Sequence, residues 1–454
     1  FNWCFKTEAN ENVNNREILF PRGKGLGGSS SINGHLYVRG QPEDYNQWAQ
    51  LGNTGWGYDD ILPYFKKSEF KENGDEKYRG KNGPLFVSDI VEKHPLCEEF
   101  IESSKEIGVS IQEDYNAGNQ EGIFYYQRTI KNGARFSAYD AFLKPAMKKK
   151  NVEVRTNTTV LKIIFKNKKA IGLLCEKNKK QFKIFANKEI ILCAGAIGTP
   201  HLLQISGVGN SNYLKKIGVP LIHENKSIGE GLQDHYAVRV SNSIKFPITL
   251  NEKARGYKLF LEIMKWFVFK KGLISYSPAH VGAFLRSSSE IDLPDLQFVF
   301  TPASYTEGMI GKLQNIPGIT CGVWQSRPQS RGYIRALTNN IKDDPLIQPN
   351  YLKETIDQDI LIQGVRMCRD LLNTSNMKKI SISETLPGEN IKTNNEILNF
   401  VKNNGATVYH AIGSCRMGVD KDSVVAPNLK LNGIKGLRIA DASITVSYTH
   451  LTLP

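Results

Sequence analysis

The sequence lacks the cysteine and histidine spacings that hold a structural metal or a disulfide framework. Its seven cysteines include no C-x-x-C pair and are odd in number, and its eight histidines include no H-x-x-x-H pair. These absences argue against a zinc ribbon, a metalloprotease motif and a disulfide-stapled secreted domain. We therefore assign no metal site and expect a protein of a reducing compartment, the cytoplasm.

Long hydrophobic runs are also absent, since none approaches the ~20 apolar residues that a membrane span requires. The nearest segment, residues 259–274, mixes large aromatic residues with Lys265, Lys270 and Lys271. It has two interpretations: an amphipathic helix at a membrane surface, or an ordinary helix that covers the rest of its domain, which we favour. Peripheral contact at the inner face of the membrane is thus the alternative location.

Basic residues are in excess, with a formal net charge of +14. The lysines fall in short turn-like groups, at 148–150, 166–169 and 177–180, and do not form one surface interleaved with aromatic residues. Solvated turns explain them better than a nucleic-acid partner, and we predict no nucleic-acid binding. A basic, non-catalytic binding protein or a decayed fragment is the alternative from another class of protein.

The chain is long enough, at 454 residues with 40% hydrophobic residues, to form two or three domains with a large core. Residues 152–154, 160–165, 170–175 and 182–185 predict a meander of short strands. A buried strand follows at 189–193, then a glycine turn, then a helix over 199–205 with Thr199 as N-cap and Pro200 at its first position. Further on, 295–300 predicts a strand and 359–368 a helix. Strand, glycine turn and helix in that order are typical of a dinucleotide-binding core.

Residues 21–40 concentrate six glycines and three serines between apolar segments. Such a run exposes backbone N–H groups and allows close approach of the main chain to a ligand. A flexible linker would not be flanked by Ile18, Leu19 and Phe20 on one side and by Tyr37 and Val38 on the other. The stretch therefore predicts a cradle for a pyrophosphate or a flat cofactor ring.

Three blocks in this order, at residues 22–48, 193–209 and 408–418 with 437–443, resemble the signatures of the glucose–methanol–choline (GMC) family of FAD-dependent alcohol oxidoreductases. Shorter matches at 58–65, 132–137 and 231–235 extend the resemblance over most of the chain. The residues of these motifs most resemble those of the bacterial choline dehydrogenase and alcohol dehydrogenase branch.

The resemblance implies an α/β fold with a Rossmann-like FAD-binding domain, discontinuous in sequence, and an α+β substrate-binding domain of sheet and helices. We expect FAD-binding segments at 1–40, 151–236 and 407–444, a mixed FAD-covering and substrate-side segment at 41–150, and the substrate domain at 237–406. The family's G-x-G-x-x-G unit is not visible ahead of residue 21. We expect a fragment lacking that unit, and a non-native tail at 445–454, so that His450 takes no catalytic role.

The implied activity is oxidation of the CH–OH group of a choline-like or other primary alcohol, with hydride passing to flavin N5. No side chain accepts a hydride, so a cofactor is obligatory. His410 falls on the family's catalytic histidine and is the expected general base. A quinone or other electron acceptor would reoxidise the flavin; an oxygen-using oxidase is the alternative, and a lyase of the same family the third. Oligomeric state is left open.

Carried over position by position, the resemblance implies that twelve residues contact FAD. They are Arg22, Gly25, Gly27, Gly28, Ser29, Asn33, Gly34, His35, Leu36, Val160, Asp441 and Ala442. Some relatives bond the flavin covalently through a histidine just before the asparagine, where this chain has Ile32, so we expect dissociable FAD. Cys415 lies close to His410 in sequence, but we interpret it as a packed thiol.

Overall fold

The structure, a computed structural model, describes residues 1–306 and 312–447, and helices and strands follow one another throughout them. The α-helices are α1 (Pro42–Gln50), α2 (Tyr58–Ser68), α3 (Pro95–Ser104), α4 (Lys144–Ala146), α5 (Gly195–Ile205), α6 (Ser211–Lys216), α7 (Leu250–Lys253), α8 (Gly256–Phe269), α9 (Thr355–Leu372), α10 (Ser375–Ile380) and α11 (Asn394–Asn404). The strands are β1 (Phe5–Lys6), β2 (Leu19–Phe20), β3 (Glu69–Lys71), β4 (Leu85–Val87), β5 (Gly122–Tyr125), β6 (Ile130–Lys131), β7 (Ala134–Arg135), β8 (Thr159–Lys166), β9 (Lys169–Lys177), β10 (Lys180–Phe185), β11 (Ile190–Leu192), β12 (Val208–Gly209), β13 (His223–Glu224), β14 (Glu230–Leu232), β15 (Tyr236–Ile244), β16 (Val281–Leu285), β17 (Leu296–Thr301), β18 (Gly318–Gln325), β19 (Gly332–Arg335), β20 (Leu346–Gln348), β21 (Ser381–Leu386), β22 (Ala406–Thr407) and β23 (Leu437–Ile439).

The largest sheet holds seven antiparallel strands in the order β21-β15-β18-β17-β16-β5, with β22 also paired to β15. Helix α9 packs across it through Leu361, Val365 and Cys368, which recur along one stripe of the helix. Gly364 lets the helix approach closely, because a Cβ there would lie 2.9 Å from a methyl carbon of Val323. This core fixes β15, and with it the residues just before β15.

A second core lies under the antiparallel meander β8–β9–β10 and the parallel pair β11–β23. Ile190, Leu192, Leu437 and Ile439 supply its apolar contacts. Because β11 and β23 are parallel, their carboxyl ends meet at one edge, where dinucleotides bind in open α/β sheets.

The predicted strands at 160–165, 170–175, 182–185, 189–193 and 295–300 are confirmed, as is the helix over 359–368, which is longer than predicted. The strand predicted at 152–154 is wrong. Apolar and charged residues alternate there, but among the described residues no neighbouring strand pairs with the segment.

The start predicted for the helix at Thr199 is also wrong, because α5 already begins at Gly195. The Gly195 amide is capped by the Asp441 carboxylate at 2.9 Å, which a reading of local sequence does not reveal. Pro200 sits inside the helix and cannot donate to the Ala196 carbonyl. The Ser414 hydroxyl donates to that carbonyl instead, at 2.5 Å.

The segment 259–274 contains most of α8, so the helix is confirmed; whether it covers its domain or lies at a membrane surface stays a prediction. No residue of α8 is buried. Among the described helices, none is long and apolar enough to cross a membrane. Of the expected tail, Thr445 is buried and the Trp48 indole donates to the Ser447 hydroxyl at 3.2 Å, while residues 448–454, with His450, lie outside the described chain.

Candidate functional site

His410 lies beside residues 233–235 because β22 pairs with the start of β15. Thr407 is opposite Tyr236, and beyond the strand the Val408 amide donates to the His235 carbonyl at 3.2 Å. The Ile412 amide donates to the Gln233 carbonyl at 3.0 Å. Two segments 175 residues apart thus run alongside each other and bring their histidines together.

Buried Asp234 holds the backbone of this loop. Its carboxylate accepts hydrogen bonds from the Thr407 and Tyr351 hydroxyls and from the His410 amide, the last at 2.7 Å. Burial raises the pKa of Asp234, and these donors and the charge of Arg22 act against that rise. The Asp234 carboxylate therefore fixes the backbone position of His410.

A chain of hydrogen bonds sets the proton position on His410. His235 Nε2 lies 2.8 Å from the Ser326 carbonyl oxygen, and His235 Nδ1 lies 2.9 Å from His410 Nδ1. A carbonyl oxygen only accepts, so Nε2 of neutral His235 carries its proton and its Nδ1 accepts. His410 then donates from Nδ1, which leaves the lone pair of its ring on Nε2.

The electrostatic surroundings keep His410 neutral. Burial, and after it the positive charge of Arg22, lowers the pKa of His410 from 6.5 to about 4. At neutral pH the ring therefore holds a lone pair able to take a proton. Arg22 lies between β2 and the glycine-rich turn, and its positive charge thus acts on His410.

One aromatic residue, Trp324, lies next to the histidine pair. The Trp324 ring centroid is 6.3 Å from the rings of both His235 and His410. Tyr276 instead packs edge-on against His280, and Tyr305 lies under the guanidinium of Arg239. Of these three aromatic residues, Trp324 is thus the one that lies beside His410.

The glycine-rich stretch folds back on itself. Gly27 and Gly28 have φ of 86° and 55°, in the left-handed region that favours glycine. A Cβ on Gly27 would lie 2.4 Å from the Ser31 hydroxyl, whereas a Cβ on Gly28 would meet no atom of the described residues within 4 Å. Gly28 therefore faces space that the described part of the chain does not fill.

Asn33, Gly34 and His35 form the next turn, held by Arg135. The Arg135 guanidinium donates to the Asn33 side-chain oxygen at 2.7 Å and to its carbonyl at 2.8 Å. Gly34 is pressed against Pro278, since a Cβ there would lie 2.9 Å from the proline ring. Next along, Leu36 bridges to Arg128. The turn is thus held by the β6–β7 hairpin and by the loop that precedes β16.

His35 carries a buried ring nitrogen, Nδ1, that finds no hydrogen-bond partner in the described part of the chain. Burial, with smaller contributions from Arg135 and Arg128, lowers the pKa of His35 to about 4. A neutral imidazole in this position is suited to a polar ligand group.

The remaining predicted contacts lie at the carboxyl edge of β11 and β23. Asp441 accepts from Gly195 and, at 2.6 Å, from the Thr199 hydroxyl, so its carboxylate is engaged within the protein. The Ala442 carbonyl accepts from the Gly413 amide at 3.3 Å, three residues after His410. Val160 lies in β8, the edge strand of the meander, and packs on the core that contains β11 and β23.

These features fit a dinucleotide of the FAD type. The open space at Gly28, the partnerless His35 nitrogen and the carboxyl edge of a parallel pair are what a pyrophosphate and a flat ring require. Ile32, at the end of the glycine turn, offers no nucleophilic atom.

Sequence reasoning gave Asp234 and Arg135 no role of their own and expected His235 to be structural or close to the cofactor. All three stood in matching blocks, but only long-range contacts reveal what they do. Gly23, one of the glycines expected to allow close approach of the main chain, is the tightest of the loop, because a Cβ there would lie 2.1 Å from the Gly28 carbonyl oxygen.

Cys415 is fully buried, and burial raises the pKa of its thiol well above the usual range. Its amide donates to the Ser443 carbonyl at 2.8 Å. These observations agree with a packed thiol and give no support for a nucleophile.

Comparison with known proteins gives a consistent result. Two family models described as GMC oxidoreductase match residues 6–237 and 328–451. The chain is 37% identical to alcohol dehydrogenase (acceptor) of Pseudomonas putida, over 98% of this chain and 81% of that protein. It is 35% identical to oxygen-dependent choline dehydrogenase of Brucella ovis, over 99% and 82%. Among solved structures, pyridoxine 4-oxidase from Mesorbium loti superposes with a TM-score of 0.89 at 27% identity, over 99% and 84% of the two chains.

Proposed function

The chain is a member of the GMC oxidoreductases, a family of FAD flavoproteins, and we propose that it oxidises a primary alcohol to the aldehyde with His410 as general base. The observation that carries this proposal is the hydrogen-bond chain from Ser326 through His235 to His410. It leaves the Nε2 lone pair of a neutral imidazole as the proton acceptor.

FAD, when bound, supplies the hydride acceptor that no side chain provides. The residues that would hold it are Gly25, Gly27, Gly28 and Ser29 of the glycine turn, Asn33 to Leu36 behind it, Arg22, and Val160, Asp441 and Ala442 at the sheet edge. Ile32 supports a dissociable cofactor, since no side-chain nucleophile stands at that position.

His410 takes the hydroxyl proton of the substrate on Nε2, while its Nδ1–H remains bonded to His235. The developing imidazolium keeps its orientation because Asp234 holds the amide of the same residue. Trp324 closes one side of the pair and limits the access of water.

Charge at the base favours a neutral alcohol over choline. Arg22 acts on His410 as a positive charge, which would repel a quaternary ammonium group held over the base and stabilise an alkoxide. The oxygen-dependent choline dehydrogenases among the relatives keep choline as the second substrate to test.

The deciding experiment is anaerobic. The FAD-loaded enzyme is mixed with a series of neutral primary alcohols and with choline, and oxidised-flavin absorbance is followed before a quinone or dioxygen is admitted. Bleaching by alcohols and faster reoxidation by the quinone would support the dehydrogenase; faster reoxidation by dioxygen would favour an oxidase. Flavin that dithionite reduces but no alcohol bleaches would contradict the proposal. Release of yellow supernatant on acid precipitation tests non-covalent binding.

A further inference from the structure

Helix α8 turns its apolar stripe away from the protein. Six residues at i, i+3, i+4, i+7, i+10 and i+11 form one face of the helix, and each is between 43% and 73% exposed. We call this the outer face of α8: Tyr257, Phe260, Leu261, Met264, Phe267 and Val268. A contiguous exposed apolar patch of this kind marks an interaction site.

The opposite face is tied down, so the helix cannot turn its apolar stripe inward. The Trp266 indole donates to the Gly133 carbonyl at 2.7 Å. Lys265 pairs with Glu92 at 2.6 Å. The Glu262 carboxylate accepts from the Leu273 amide at 2.7 Å. The outer face is therefore a fixed feature of the surface.

Positive charge surrounds this face. Residues 253–271 contain six basic residues and one acidic residue, Glu262, whose carboxylate is already engaged. Lys258 and Lys271 are exposed and form no ion pair with any described residue, and Lys270 lies over the Trp266 ring at 4.1 Å. An apolar face rimmed by lysines complements a surface with an apolar interior and an anionic rim.

We propose that the outer face of α8 docks on an anionic lipid bilayer, with Phe260, Leu261 and Phe267 in the headgroup–acyl boundary and the lysines on the phosphates. A second copy of the chain is a poorer occupant, because self-association through this face would bring two lysine-rich rims together. This proposal does not depend on the reaction proposed above.

Docking here would set a cleft at the membrane. The end of α8, at Phe269 and Lys271, borders a cleft of about 650 Å³ that also reaches Arg128 and Tyr276. Arg128 in turn bridges to Leu36, in the stretch of the candidate cofactor contacts. The surface that would meet lipid thus adjoins a cleft whose lining residue Arg128 pairs with the backbone of Leu36.

The test is co-sedimentation with phosphatidylcholine vesicles, with and without phosphatidylglycerol. Leu261→Asp should weaken binding to the anionic vesicles roughly tenfold or more, because a carboxylate is put into the apolar contact. Lys258→Gln with Lys271→Gln should weaken it about fivefold per lysine and make it less sensitive to salt. The matched control is Phe185→Asp, which replaces an equally exposed aromatic residue on β10 and should bind like the wild type.

Two results would overturn the proposal. One is wild-type protein that stays in the supernatant with anionic vesicles; the other is Leu261→Asp binding as well as Phe185→Asp. Sedimentation velocity tests whether a second copy of the chain occupies this face. If the wild type is a dimer that does not bind vesicles, and Leu261→Asp is a monomer, the face serves self-association. Leu261 is exposed, so its variants should keep the wild-type Tm, and Leu261→Ser replaces Leu261→Asp if the Tm falls.

Discussion

At one end of the candidate site, groups from two distant segments, residues 234–235 and Ser326, position His410; at the other, the backbone of residues 23–28 forms the site from its own glycines. Asp234, His235 and the Ser326 carbonyl act on His410 through hydrogen bonds. The glycine turn instead depends on positive φ and on a contact where a Cβ of Gly23 would lie 2.1 Å from Gly28.

This difference predicts how substitutions at each end of the site should act. A hydrogen-bonded side chain can be replaced by another that keeps the same donor or acceptor, so its loss is graded and can be rescued. A turn defined by left-handed backbone tolerates no branched side chain, so its loss comes from strain and affects whatever lies against the backbone.

The sharpest break in this comparison is His410→Ala. Loss of a positioned general base should lower turnover by roughly 10²–10⁴-fold, while bound FAD per chain stays unchanged, because the backbone loop is untouched. Anaerobic flavin reduction by the preferred alcohol measures the first quantity and the flavin-to-protein absorbance ratio the second. The control is His223→Gln, a partly buried histidine on β13. A loss of turnover below about threefold would remove His410 from the mechanism.

At the glycine turn, a substitution should lower FAD affinity through backbone strain. Gly28→Val places a β-branched residue at φ of 55°, which costs roughly 1–3 kcal/mol, so FAD affinity should fall about tenfold to a hundredfold. Titration with FAD, followed by flavin fluorescence, measures it. Gly108→Val is the matched control, since Gly108 also has positive φ and open space at its Cβ but lies after α3. Equal FAD affinity in both variants would place the turn away from the cofactor.

The sequence predicted much of this architecture where the signal is local. Lysine-rich turns between β-branched runs predicted β8 to β10, and apolar spacing predicted α9. What it could not predict depends on contacts between distant residues: Asp441 caps α5 at Gly195, five residues before the predicted first helical position, and His235 meets His410 across 175 positions. For α8, periodicity predicted a helix and an apolar face, but periodicity does not say whether that face points inward.

A milder change at the histidine end tests whether His235 positions the base. His235→Phe removes the acceptor for His410 Nδ1–H, and loss of about one hydrogen bond, ~1–1.5 kcal/mol, should lower kcat/KM roughly tenfold. His235→Gln, whose amide oxygen can accept, should recover part of the loss. FAD content should stay constant in both. If His235→Phe and His235→Gln lose activity equally, the acceptor role is wrong and His235 only fills space.

The smallest effect concerns pH and links the two ends through Arg22. A base must be neutral to act, so kcat/KM should rise with pH as His410 loses its proton and level off above its pKa. Because burial and Arg22 hold that pKa at about 4, the acid limb should lie near pH 4, well below the ordinary imidazole value of 6.5. Arg22→Gln removes the positive charge, which favours the protonated ring, so the limb should move to higher pH while the plateau changes little at saturating FAD. A control with Arg16→Gln, near Tyr236 and the end of α11, should leave the limb in place. A limb that stays fixed in Arg22→Gln, or moves to lower pH, would mean that Arg22 does not act on the base and that the two ends of the site titrate independently.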